Sequence, residues 1–81
     1  MAYKVPENKN RRFSLRNSIL TTIGEMQPIS SDEIRFEIEE DQDRALSKLD
    51  VNHHLEKMLE NNLLAEVTLA NGRKGYINVK Q

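Results

Sequence analysis

The amino-acid sequence predicts an α+β domain: three helices followed by a C-terminal β-hairpin, with a very short strand near Pro28-Ile29. Three observations carry this. Three segments place aliphatic residues at helical spacing, each behind a serine able to cap a helix. Pro28 interrupts the chain between the first two segments. The last part of the chain alternates apolar and polar residues on either side of Asn71-Gly72.

Met1 to Arg12 is polar, basic and interrupted by Pro6, with no periodicity. It is expected to be a mobile arm, so that 1–13 is a basic arm and 14–80 the folded domain. Ser14 suits an N-cap, and behind it Leu15, Ile19, Ile23 and Met26 share one face, widened by Leu20. The first helix therefore spans about Leu15 to Met26. Gly24 weakens its last turn, and Pro28 forbids continuation. Gln27–Ile29 is expected to be extended, because a residue before proline avoids the α region.

Ser30-Ser31-Asp32-Glu33 reads as a capping box, in which Ser30 and Glu33 each satisfy the other's backbone N–H. Ile34 and Ile38 then lie one turn apart. Residues Ile34 to Ile38 also alternate as a strand would, but the box and the helix formers Glu37, Glu39 and Glu40 favour a second helix. Phe36 falls off the Ile34/Ile38 face, so it either covers the first helix or is exposed for a partner. Glu39 to Arg44 is an acidic connector, either an extra helical turn or a loop.

Ser47 caps the third helix, and Asp50 favours its positive end. Val51, Leu55, Met58 and Leu59 form one apolar stripe. Asn62 can take the left-handed conformation that ends a helix, and Leu63 and Leu64 return the chain to the core. The outer face keeps Lys48, Asn52, His53, Glu56 and Lys57.

Parity sets the hairpin. Ala65, Val67 and Leu69 share one face of the first strand, and Ile77 and Val79 one face of the second. A two-residue Asn-Gly turn would pair Val67 with Tyr76 and Glu66 with Ile77, opposing apolar to polar. An odd loop of about three or five residues lets Val67 face Ile77 or Gly75, with Gly72 supplying the positive φ. Arg73 and Lys74 then lie at or beside the tip.

The 81 residues contain no cysteine, which excludes a disulfide framework and a thiolate metal site. With 37% hydrophobic residues, two Phe, two Tyr and no Trp, the core is mostly aliphatic. No apolar run approaches the roughly 18 residues of a membrane span, and the N-terminus lacks a hydrophobic signal region. A soluble cytoplasmic protein is expected, with no membrane partner. The net charge of −1 hides a segregation. Lys4, Lys9, Arg11, Arg12 and Arg16 against Glu7 make the start +4. Seven acids against Arg35 and Arg44 make the 32–44 segment −5, and Arg73, Lys74 and Lys80 make the end +3. An anionic partner should meet the two ends.

The order helix, extended piece, helix, helix, hairpin resembles a winged helix-turn-helix domain. The likeness is sharpest over Leu46-Ser47, Val51, Leu55, Met58 and Asn61-Asn62-Leu63-Leu64. This stretch resembles the recognition helix and following strand of small bacterial and archaeal repressors of the multiple-drug-resistance and arsenical-resistance groups. Asn62 stands where those repressors usually have Gly. Pro28-Ile29-Ser30-Ser31 with Glu33-Ile34 is similar to the start of their second helix. The stretch from Ile34 to Leu46 is longer than is usual for them.

The resemblance implies a DNA-binding transcriptional regulator, with the third helix in the major groove and the hairpin as a wing. Ser47, Lys48, Asn52, His53 and Lys57 would then face bases or phosphates, since Asn matches adenine and His or Lys can donate to guanine. Arg73 and Lys74 on the wing, with Arg11, Arg12 and Arg16, would contact the flanking backbone or minor groove. Against this, Asp50, Glu56 and Glu60 outnumber Lys48 and Lys57 on the third helix, so a monomer should bind weakly and a homodimer better. The alternative is a protein-interaction module that docks through the acidic 32–44 segment beside Phe36.

An enzyme is not expected. Ser47, Asp50 and His53 share one short helix with no implied cleft, and no glycine-rich phosphate loop is present. His53 and His54 point about 100° apart on a helix and cannot jointly chelate. Neither a metal nor a cofactor is expected.

Overall fold

The computed structural model describes residues 13–79. The expected arm therefore lies outside the described residues, apart from Phe13. Three helices, α1 (Leu15–Met26), α2 (Ser31–Gln42) and α3 (Lys48–Glu60), precede an antiparallel hairpin of β1 (Leu64–Thr68) and β2 (Lys74–Asn78). This is the expected α+β arrangement, laid out as in a winged helix.

Each helix starts where a serine hydroxyl takes up an orphan N–H. Ser14 accepts from Asn17, Ser30 from Glu33 and Ser47 from Asp50, at 3.2–3.3 Å. The Ser30 box closes on one side only. Glu33 is exposed, and its carboxylate makes no return bond to the Ser30 N–H. The alternating Ile34–Ile38 run is helical, and α2 continues through the acidic connector to Gln42. Asp43 then turns left-handed, with φ 53°. Asn62 ends α3 in the same conformation, with φ 62°. Leu63 N–H donates to the Met58 carbonyl and Asn62 N–H to the Leu59 carbonyl, the paired bonds of a Schellman ending.

The core draws on every element: Ile19 and Ile23 from α1, Ile34 and Ile38 from α2, Val51, Leu55 and Met58 from α3, with Ile29, Leu64 and Tyr76. Ile29 is the expected short extended piece. It exchanges both backbone hydrogen bonds with Tyr76 (2.9 and 3.3 Å), which adds a one-residue bridge to the edge of β2. Tyr76 is thereby held between Ile29 and Glu66, its ring in the core.

The hairpin pairs Val67 with Gly75 and Thr68 with Lys74, leaving loop 69–73, an odd connection of five residues. Gly72 supplies the positive φ, at 85°. A Cβ there would meet nothing, so the conformation alone resists substitution. Gly72→Ala is expected to cost ~1 kcal/mol, a fall in Tm of about 5 °C in a thermal melt.

Two apolar faces are only partly covered. Met26 is 45% exposed although it continues the Ile19/Ile23 row, because it is the last residue of α1 and borders the open cleft between α1 and α2. The aliphatic face of the hairpin is not the one that enters the core. Ala65, Val67 and Ile77 are only half-buried and Val79 is 51% exposed, while Leu64 and Tyr76 project into the core from the opposite face. Ile29, paired directly with Tyr76, is buried with it on that inner face. No helix among the described residues is long and apolar enough to cross a membrane.

Candidate nucleic-acid interface

Val51, Leu55 and Met58 anchor α3 in the core, which fixes its opposite side as a solvent face. His53, Glu56, Lys57 and Glu60 are exposed there, with Asn52 half-buried at the margin, while Lys48 is exposed at the first turn on the side of Leu55. Four of the expected contact residues, Lys48, Asn52, His53 and Lys57, thus stand on one helix clear of the core. Ser47 sits at its start with the hydroxyl engaged as the cap. The sequence pattern missed Leu49, which is 79% exposed among these polar groups. Its signal was present: two residues from buried Val51, it lies about 200° round the helix.

The two histidines behave differently. His54 is half-buried, and its Nδ1–H donates to the Asp50 carbonyl at 2.9 Å, the carbonyl one turn back. His53 is exposed, its ring perpendicular to that of His54 with centroids 6.1 Å apart. Among the described residues, no three His, Asp or Glu side chains converge as a metal would require.

The start of α3 is positioned by a clamp that the sequence pattern did not reveal. Glu39 Oε2 accepts from the Leu46 N–H at 2.8 Å. Arg35 Nη1 donates to the Leu46 carbonyl at 3.4 Å and lies 3.6 Å from Glu39 Oε2. Two charged side chains of α2 thus satisfy both backbone groups of the residue before the Ser47 cap. Arg44, in the same connector, stacks its guanidinium 4.1 Å from the centre of the Phe13 ring. The long connector is therefore tied to α2 and to the start of α1.

On the hairpin, Arg73 and Lys74 each face a carboxylate. Arg73 Nη1 lies 3.7 Å from Asp32 Oδ2 in the first turn of α2, and Lys74 Nζ lies 3.4 Å from Glu66 Oε2. All four side chains are well exposed, so each pair contributes only ~0–1 kcal/mol and gives way readily to another anion. The Arg73 N–H also donates to Asn71 Oδ1 at 2.9 Å, which shapes the tip. Burial pushes the Tyr76 hydroxyl above the ordinary tyrosine range; Lys74 opposes the shift, while Glu66 and Glu56 add to it.

The expected contact residues therefore fall into separate groups. Ser47, Lys48, Asn52, His53 and Lys57 share α3, and Arg73 and Lys74 share the hairpin. Arg16 is exposed on the first turn of α1, and Arg11 and Arg12 lie outside the described residues. The acidic segment also has an exposed side, where Asp32, Glu33 and Glu40 accompany Phe36, which is 58% exposed. Between α1 and α2 runs an open cleft of about 600 Å3. Ser14, Asn17 and Thr21 line one wall and Glu37 and Asp41 the other. It pairs no hydroxyl with a histidine base. Neither a protein-family model nor a curated protein matches this chain.

Proposed function

We propose that this domain is a DNA-binding transcriptional regulator that lays α3 in the major groove and sets the hairpin against the flanking backbone. The observation that carries this reading is the polar side of α3, where His53 and Lys57 stand opposite a core anchored by Val51, Leu55 and Met58, with Asn52 at its margin and Lys48 exposed at its first turn. A helix with its side chains is ~10–12 Å across and fits a major groove ~12 Å wide. Arg73 and Lys74 would exchange their carboxylate partners for phosphates. A second copy would double the number of cations, which offsets the acids on α3.

Titration of a random-sequence duplex across a salt series tests the reading. Affinity should fall steeply with salt, with a slope of about −0.9 for each phosphate neutralised. Arg73→Ala should lower that slope by about one and weaken all sequences alike. Asn52→Ala should cost ~1–3 kcal/mol on preferred sequences only. No binding at low salt would sink the reading. A second reading, a protein-interaction module docking through α2, is favoured by one observation: Phe36 stands exposed among Asp32, Glu33 and Glu40. It predicts no salt-dependent duplex binding by the wild type, and weaker capture of a basic protein partner by Phe36→Ala.

A further inference from the structure

We propose that Leu49 reads a thymine methyl group next to an adenine held by Asn52, so that this end of α3 selects A·T pairs; the inference rests on the DNA-binding reading above. Leu49 is the most exposed large apolar side chain among the described residues, at 79%. The other exposed large apolar side chains lie elsewhere, Met26 on α1, Phe36 on α2 and Val79 just after β2. Leu49 is thus a single apolar group set among Lys48, Asn52 and His53.

Asn52 and His53 follow Leu49 by three and four residues, which places their Cβ atoms about 5–6 Å from its own. In the major groove an A·T pair shows an acceptor and a donor on adenine, then an acceptor and the C5-methyl on thymine. A carboxamide matches the adenine edge, having both an acceptor and donors. A leucine matches only the methyl. Set over the amino group of a cytosine it would shield a donor from water and offer no acceptor, so the same residue rejects G·C.

Deoxyuridine provides the test, because it pairs as thymidine does and lacks only that methyl. A duplex pool with a random core is enriched on the wild-type protein. The enriched pool is then amplified once with thymidine and once with deoxyuridine triphosphate, and both versions are titrated. Wild type should bind the thymidine pool about fourfold more tightly for each methyl contacted. Leu49→Ala should bind both pools equally, near the wild-type affinity for the deoxyuridine pool. Its side chain is exposed, so the core is unaffected by the change. Equal wild-type affinity for both pools overturns the role of Leu49 and leaves DNA binding standing. So does a Leu49→Ala variant that keeps the full difference. Absence of enrichment at low salt overturns both.

Discussion

Leu55→Ala is expected to lower the unfolding free energy by about 3 kcal/mol, within the range of ~2–5 for buried leucines. Leu55 is buried on α3 between Val51 and Met58, in the cluster where all three helices and the base of the hairpin meet. Truncation removes three heavy atoms' worth of contact there, and the helix backbone cannot collapse to fill the gap. A domain of this size holds only about 4–12 kcal/mol in total. The variant should therefore show a large drop in urea midpoint with an unchanged slope. Lys57→Ala, on the opposite face of the same helix, should stay within ~0.5 kcal/mol of wild type. A loss below ~1 kcal/mol at Leu55 would mean that the ridge is not the anchor of α3.

Glu39→Ala should cost about 2 kcal/mol, an unusual amount for a side chain that is partly solvated. The loss comes from the backbone. Without the carboxylate, the Leu46 N–H loses its 2.8 Å acceptor, and Arg35 keeps only the Leu46 carbonyl at 3.4 Å. A hydrogen bond to a charged acceptor is worth ~1.5–3 kcal/mol, whereas the Arg35–Glu39 ion pair adds little at its exposure. Glu39→Gln keeps an acceptor and should lose about half as much. Urea denaturation gives the totals. Hydrogen exchange at the Leu46 amide locates the effect, since exchange there should accelerate in Glu39→Ala well beyond the change at core amides such as Leu55.

The elements were legible in the sequence because their signals are local. A serine hydroxyl caps the helix that begins beside it, so Ser14, Ser30 and Ser47 mark the starts of α1, α2 and α3. Parity across Asn71-Gly72 excluded the two-residue turn and implied the odd loop found between Thr68 and Lys74. What stayed hidden depends on neighbours distant in the chain. Periodicity groups Met26 with Ile19 and Ile23 but cannot show that Met26 borders an open cleft. It groups Ile77 with Val79 but cannot show that Leu64 and Tyr76, on the other face, are the ones that pack with Ile29 in the core. The partners of Arg73 and Glu39 lie in other elements or across a turn, beyond any spacing rule. For the candidate interface, spacing located the outer face of α3 but Leu49 was passed over, because attention to polar contact groups left out an apolar one on the same face.

The odd hairpin loop has a consequence for how such a domain varies. With Tyr76 locked to Ile29 at one edge and Glu66 at the other, the ladder can lengthen only by whole rungs, one residue on each arm. Insertions in twos would push the cationic tip outward while every side chain below keeps its side of the sheet. A lone extra residue would have to bulge out as slack. The reach of the ribbon is thus a trait that can drift on its own, decoupled from the packed interior.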